Sequence, residues 1–354
     1  MKQIKAGGSE MNIKIKDQVL LYLINHPNQI INGANLASEL EVSRNAIWKA
    51  IKQLIQEGHV IESSQSKGYQ LKRLSQAINP FMIQHEVTKP WKNLHIHYEN
   101  EVTSTNDRAK EWLINHPGQK ALFISKHQTQ GRGRHGKSFY SKLDEGLYFS
   151  IVLPIPESFR TEFTQLTLIT AVALIDVLQD HLSEELKIKW INDIFYKQRK
   201  VAGILSEANV DIESQTISNV IIGIGLNLAG DLTEMNQETQ QIAGTLFEHK
   251  IPKNFSKNTF IANIINRIQY YLDKFPQTNY LIIYRQHLLG LNQRIFYTLN
   301  QKEKTGIIKG IDEQGQLIVQ QDNQTLVHLN SGNIHIGSHQ FAQKQKNEHR
   351  SKIN

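Results

Sequence analysis

The sequence predicts an α+β chain in three parts: an N-terminal winged helix-turn-helix, a central mixed α/β domain and a small C-terminal β unit. Three observations carry this reading. Over residues 12–75, two short apolar stripes at helical spacing lead into a third helix and then a hairpin pattern. Over residues 80–285, helical stripes mix with apolar strands. Over residues 290–338, short strands flank the turn Asp312-Glu313-Gln314-Gly315, the pattern of a small barrel.

In the first part, Val19, Leu20, Leu23 and Ile24 form one stripe, and Leu36, Ala37 and Leu40 a second. Glu41-Val42 turns the chain to Ser43, the expected N-cap of a third helix. That helix carries Ala46, Ile47, Ala50, Ile51, Leu54 and Ile55 on one side and ends at Gly58. Its other side carries Arg44, Asn45, Trp48, Lys49 and Lys52. A polar link, Glu62 to Ser66, joins the two strands of the wing. Two readings of the outward face stand side by side. It is the solvated side of a small interaction module, or it enters a major groove, where Ser43, Arg44 and Asn45 lie nearest the base edges. The wing favours DNA.

In the central part, strands are expected at 121–126, 146–153, 187–196, 200–209 and 217–228, with a long helix through Leu166, Ile169, Ala173, Leu174 and Val177. Four segments carry candidate chemistry. Gly131-Arg132-Gly133-Arg134-His135-Gly136 formally matches a dinucleotide fingerprint, yet no helix follows to hold a pyrophosphate. It reads either as a surface loop with two solvated arginines or as an anion-holding loop, in which Arg132 and Arg134 offer forked donors. Lys189 lies on a strand just before Asn192-Asp193. It is either a solvated strand lysine or a charge that stabilises a transition state. Ser104-Thr105-Asn106 follows a strand, as a helix cap, a ligand contact or both. The glycines of Lys200-Val201-Ala202-Gly203 and Gly223-Ile224-Gly225 read as close backbone packing, and Asn227 as a polar group at a strand end.

Composition bounds the function. The chain has 354 residues, more than one typical domain. Apolar residues at 39% and charged residues at 21% fit an ordinary water-soluble protein. There is no cysteine, which excludes disulfide frameworks, thiolate zinc sites and cysteine nucleophiles and suits the cytoplasm. No apolar run is long enough to span a bilayer, so no membrane partner is expected. Met1 to Glu10 is polar and lacks a secretory core, and Met11 is an alternative start. The net charge of +7 permits nucleic-acid binding, although Gln343–Lys352 supplies part of it, and a polar, frayed tail is expected after Gly337. The 15 histidines show no metal-ligand signature, and His95 and His97 are read as structural.

The order of these motifs is specific. Ser-Thr-Asn at 104–106, Gln128 before the Gly-Arg-Gly-Arg loop, Lys-Trp-x-Asn-Asp at 189–193, Lys-Val-Ala-Gly-Ile-Leu at 200–205 and Gly-Ile-Gly-Leu-Asn at 223–227 together resemble the biotin–protein ligases. With the winged helix-turn-helix, the chain resembles their bifunctional ligase and biotin-operon repressor kind, from Lys16 to Gly337. The resemblance implies a biotin/lipoate-ligase fold for the centre and an SH3-like barrel at the C-terminus. It implies that biotin, ATP and magnesium yield biotinyl-5′-AMP, whose acyl group passes to a lysine of a carrier domain such as that of acetyl-CoA carboxylase. It also implies repression of biotin genes, as a homodimer on operator DNA. Ser104, Thr105, Asn106 and Gln128 would contact biotin, with Arg132, Gly133 and Arg134 in the loop over the adenylate. Lys189 would touch biotin and the reacting phosphate, and Phe139, Asn192 and Asn227 would lie near the nucleotide. No protein metal ligand is expected beyond magnesium carried by ATP. The chain departs from the family at Phe139 for a tryptophan, Ile191 for a proline, and Asn333 for an acidic residue with no Leu-Arg after it. A biotin sensor without ligase activity and a lipoate-type acyl ligase are the competing functions.

Overall fold

The computed structural model describes residues 14–64, 68–155, 163–210, 217–277, 279–332 and 334–342. Expectations for Met1–Met11, for the link beyond Ser64, for Asn333 and for the tail from Gln343 lie outside these residues. The chain forms two compact units. One is built on the chain up to Leu94 with Pro252–Asn263, the other on His95–Ile251 with the chain from Ile264 onward. Among the described residues no helix is long and apolar enough to cross a membrane.

In the first unit, helices α1 (Ile15–Asn25), α2 (Gly33–Glu39) and α3 (Arg44–Gln56) precede a hairpin of β1 (Val60–Ser64) and β2 (Gly68–Arg73). Each helix start has a local cause. The Asn32 carboxamide accepts from Ala34 N and Asn35 N, and the Ser43 hydroxyl accepts from Ala46 N at 3.1 Å. Glu41 enters the left-handed region at φ 53° to make the turn between α2 and α3, and Gly58 closes α3 at φ +89°. The three helices share one core built on Val19, Leu20, Leu36, Ile47, Ile51 and Leu54. On the far side of α3, Arg44, Asn45, Trp48, Lys49 and Lys52 are all exposed. The wing differs slightly from expectation, because β1 continues through Ser64 and Ser64 pairs with Gly68. Gly68 is required there, since a Cβ would lie 2.1 Å from the Ile31 carbonyl. That close approach lets Ile31 exchange two 2.8 Å backbone bonds with Tyr69 and ties the wing to the α1–α2 connection. Helix α4 (Pro80–Glu86) follows, capped by Asn79.

The second unit opens with β3 (His95–Val102), α5 (Thr105–Leu113), β4 (Ala121–Gln128), β5 (Glu145–Pro154) and α6 (Phe163–Leu178). It continues through β6 (Lys187–Lys189), β7 (Asp193–Tyr196), β8 (Arg199–Val210), β9 (Ile217–Ala229) and α7 (Gln237–Ile242). Helix α8 (Lys257–Lys274) belongs to the first unit up to Asn263 and to the second from Ile264, and α9 (Asn279–Gln286) follows. Seven strands form one sheet in the order β3-β4-β5-β9-β8-β7-β6, in which only β3 and β4 run parallel. Register places Ser150, Gly223 and Leu205 in one row across β5, β9 and β8, and Tyr148, Gly225 and Gly203 in the next. Alternation puts both rows on one face, the face that α5 covers. The opposite face meets α6, whose Thr167 hydroxyl donates to Ser206 Oγ at 2.9 Å. His95, His97 and His116 pack around Trp112 of α5, and His97 stacks on Phe123.

One expected strand is corrected. Residues 187–196 are the hairpin β6–β7 and not a single strand. Asn192 causes the break, because its carbonyl accepts from Ile204 N and its side-chain amide donates to Ile204 O, both at 2.9 Å. Trp190, in the turn, donates its indole N–H to Gly315 O.

The C-terminal strands are β10 (Arg294–Leu299), β11 (Lys302–Ile311), β12 (Leu317–Gln320), β13 (Leu326–Leu329) and β14 (Ile334–His335). They form an antiparallel sheet in the order β13-β12-β11-β10-β14. Among the described residues β13 and β14 do not pair, because β14 contributes only two residues, against Thr298 and Leu299. The expected fraying after Gly337 is also corrected: Ser338–Gln340 form a helical turn, and Phe341 is buried over Gly290.

Leu20 is fully buried at the centre of the helical core. Leu20→Ala is expected to destabilise the first unit by ~2–5 kcal/mol. Amide exchange of α1–α3 should speed up accordingly while that of β5, β8 and β9 stays unchanged.

Candidate active site

The β6–β7 turn sets the charge at the centre of the site. Register pairs Lys189 directly with Asp193, so the two side chains meet at 3.4 Å. Lys200, next along on β8, reaches the other oxygen of Asp193 at 2.7 Å. Both Lys189 and Asp193 are buried, and Ser338 Oγ also donates to the carboxylate. One carboxylate therefore serves two ammonium groups. Burial pushes the Lys189 ammonium down from its ordinary range, Asp193 opposes this, and Lys200 adds to it. For Asp193, burial works to raise the carboxyl, but Lys200 and Lys189 outweigh it and hold the group well below the usual carboxylate range. The cluster carries a surplus positive charge that solvent screens poorly, and such a charge calls for an anionic ligand.

The glycine-arginine loop adds to that surplus. It is not a loose surface turn. Gly133 N donates to Lys137 O at 2.7 Å and Phe139 N to Gly131 O at 2.8 Å, while His135 and Gly136 take consecutive positive φ values. A Cβ at Gly131 would lie 2.4 Å from Ser141 Oγ, so the loop base tolerates only glycine. Arg132 pairs with Asp107 of α5 at 2.9 Å. Arg134 donates to Ser331 O at 2.9 Å, and burial lowers its guanidinium while Asp193 opposes the shift. Lys137 lies 3.1 Å from His335 of β14.

Beside this cationic centre is a neutral polar recess. Ser104 occupies the N-cap position of α5, but its side chain makes no capping bond. Gln128 takes that role: its Oε1 accepts from Thr105 N at 2.8 Å, and its Nε2 donates to Ser141 Oγ at 2.9 Å. Ser150, in the middle of apolar β5, lies 2.7 Å from Thr105 Oγ1 and 2.6 Å from Asn106 Oδ1. The glycines read as backbone packing instead make room for side chains. A Cβ at Gly223 would lie 2.3 Å from Asn106 Oδ1, and one at Gly225 would lie 2.4 Å from the Phe139 ring. The ring of Phe139 thus lies on Gly203 and Gly225, with the Lys200 ammonium 5.8 Å from its centroid.

Recess and cationic centre line one cleft of about 1030 Å³, partly open to solvent. It brings together Ser104, Thr105, Asn106, Gln128, Arg132, Gly133, Arg134, Phe139, Lys189 and Asn192. Asn227 is not among its lining residues; its amide donates to Gly244 O at 3.1 Å and holds the loop after α7. Sequence reasoning gave Lys200 no role beyond its place in the Lys-Val-Ala-Gly motif and passed over Ser150, His335 and Ser338. Ser150 left one signal, a hydroxyl inside the apolar run Leu147–Leu153.

Three family models match the chain: a biotin/lipoate A/B protein ligase family model over residues 99–227, a helix-turn-helix domain over 16–70 and a biotin protein ligase C-terminal domain over 290–337. The chain belongs to the biotin protein ligase family. Relatives named bifunctional ligase/repressor BirA align along most of it. The Bacillus subtilis protein is 27% identical over 88% of this chain and 95% of its own length. The Escherichia coli protein is 27% identical over 82% and 88%. Among solved structures, the biotin protein ligase of Aquifex aeolicus in complex with biotin and ATP superposes with a TM-score of 0.57 at 26% identity, over 69% of this chain and 98% of that one.

The charge arrangement makes two opposite stability predictions. Lys189→Met leaves Asp193 its 2.7 Å partner and removes the surplus charge, so the thermal midpoint should hold or rise. Asp193→Asn leaves the buried Lys189 ammonium and the partly exposed Lys200 without their shared carboxylate and should cost ~3–5 kcal/mol. Because folding depresses the Asp193 carboxyl, its contribution is present above the ordinary value of 3.8 and is lost as pH falls below it. Denaturation midpoints of both variants across pH 3–8 check both signs.

Proposed function

We propose that the chain is a bifunctional biotin–protein ligase and DNA-binding repressor. The observation that carries the ligase half is the cationic surplus at buried Lys189 and half-buried Lys200 and Arg134, set against the hydrogen-bonding recess of Ser104, Thr105, Asn106 and Gln128. In a member of this family, such a pair of subsites suits biotin's ring system at the recess and its carboxylate, with the α-phosphate of ATP, at the lysines.

A carboxylate oxygen of biotin attacks the α-phosphorus, the bond to pyrophosphate breaks, and biotinyl-5′-AMP forms. Lys189 and Arg134 face the negative charge that grows on the phosphate oxygens, a stabilisation that a desolvated site magnifies. Arg132, Gly133 and Arg134 cover the adenylate and exclude water, which would otherwise hydrolyse it. Phe139 and Asn192 lie on the nucleotide side. The ε-amine of a carrier lysine then attacks the acyl carbon and AMP leaves. Magnesium enters on the phosphates of ATP. The cleft's carboxylate Asp193 is held by two lysines.

The exposed face of α3 is the DNA-reading face. Arg44 and Asn45 at its N-terminal end address base edges, Ser43 caps the helix, and Trp48, Lys49 and Lys52 contact the backbone beside them. The reading includes a homodimer on operator DNA, with biotinyl-5′-AMP as corepressor, and a cytoplasmic location. Its domain boundaries are 12–75, 80–285 and 290–338, the last an SH3-like module.

Incubation with biotin, ATP, magnesium and a biotin carrier domain should yield biotinylated carrier and pyrophosphate. Carrier that stays unmodified at every protein concentration overturns the ligase reading. Lys189→Ala should slow adenylate formation by roughly a hundredfold or more, the scale of losing one electrostatic stabiliser. Arg44→Ala and Asn45→Ala should each weaken operator binding by about tenfold or more while carrier biotinylation stays normal. Operator binding should also fall steeply with salt, and salt-independent binding would remove α3 from the groove.

A further inference from the structure

Glu207 of β8 lies outside every role assigned so far, yet it terminates the polar network under the recess. One of its oxygens accepts from Asn106 Nδ2 at 2.7 Å, and the other pairs with Lys110 of α5 at 2.6 Å. The same Asn106 nitrogen reaches Leu205 O at 3.3 Å, and Asn106 Oδ1 faces Ser150 Oγ at 2.6 Å. An asparagine amide has two faces of opposite sense, and reversing it is nearly free unless its partners forbid it. Here they do. A reversed Asn106 would turn its oxygen onto the Glu207 carboxylate and the Leu205 carbonyl, three acceptors with no proton among them.

We propose that Glu207 is a positioning residue that fixes Asn106 as a hydrogen-bond acceptor in the recess and so selects an acid whose ring carries N–H donors. The reading rests on the ligase function proposed above. The Asn106 oxygen has two lone pairs, and Ser150 occupies one. The oxygen lies over Gly223, a cleft residue with no side chain to cover it. The second lone pair is therefore available to ligand. Asn106 is almost fully buried, so a ligand without a donor leaves that acceptor unsatisfied, and the site rejects it for that reason. The other end of the network is equally fixed, since Thr105 N holds Gln128 Oε1 and thereby directs the Gln128 N–H groups toward Ser141 and the recess. A ureido ring, with N–H donors and a carbonyl acceptor, matches both polarities. A dithiolane ring matches neither.

The test compares carrier biotinylation with biotin and with biotin methylated on its ureido nitrogens, in wild type, Glu207→Ala and Glu207→Gln. Glu207→Ala should raise KM for biotin about tenfold and narrow the preference for biotin over the methylated acid by a similar factor. Its kcat and its KM for ATP should stay within about twofold. Glu207→Gln keeps an acceptor oxygen for Asn106 and should restore the biotin KM to within about threefold of wild type. If Glu207→Ala does not fold, Glu207→Asp serves, because it keeps a charge near Lys110 and withdraws the oxygen from Asn106. An unchanged preference in the folded variants overturns the proposal. So does an equal loss in kcat and in both KM values, the mark of general loosening. A wild-type protein that leaves the carrier unmodified sinks the ligase reading itself, a separate result.

Discussion

A buried aspartate shared by two lysines is the constraint around which the catalytic unit is arranged. Asp193 is charged because Lys189 and Lys200 are charged, and neither buried partner, Asp193 nor Lys189, tolerates burial alone. Holding them requires the tight β6–β7 turn, which Asn192 anchors to β8 and Trp190 anchors to the Asp312–Gly315 turn. It also draws in the C-terminal segment, through Ser338 on the carboxylate and Arg134 on Ser331. Two cations against one anion leave the fold with an electrostatic deficit that it does not resolve internally. Active sites commonly keep such a deficit, because the same interactions that cost stability without ligand stabilise charge when ligand or transition state arrives.

A second constraint is geometric. The sheet face under the cleft carries three glycines in adjacent rows, and each is covered by a side chain from another segment. Phe139 comes from the glycine-arginine loop and Asn106 from α5. Removing three Cβ atoms sinks these side chains into the sheet, where they share hydrogen bonds and ring contacts with strand residues. The recess is thus made from loop and helix residues but acquires the rigidity of the sheet. The polar chain from Ser141 through Gln128, Thr105, Ser150 and Asn106 to Glu207 shows the effect, since loop, helix and strand groups meet in it at hydrogen-bond distance.

The helical unit follows a simpler plan. An apolar side closes on a small core and a polar side stays bare, with Ser43 and Gly58 marking the ends of α3. Trp48 in the exposed row is 52% accessible, unusual for so large a ring and consistent with a face kept open for a partner.

The amino-acid sequence by itself determined the helices, most of the strands, the exposed polar face of α3 and the order of the motifs, because periodicity and capping are local properties. It could not determine what only register and topology create. Lys189 faces Asp193 because a turn replaces an expected strand, and that turn depends on Ile204, twelve residues beyond Asn192. The conformations of Gly203, Gly223 and Gly225 carry no sign of Phe139 and Asn106, which arrive from distant segments. Ser150 and Glu207 look ordinary in their strands until the network joins them. Asn227 shows the reverse case, a polar strand-end residue whose amide the fold spends on a loop carbonyl instead. The physical reason is common to all of these: hydrogen bonds and ion pairs extend only a few ångströms, and tertiary structure alone decides which groups of a long chain come that close.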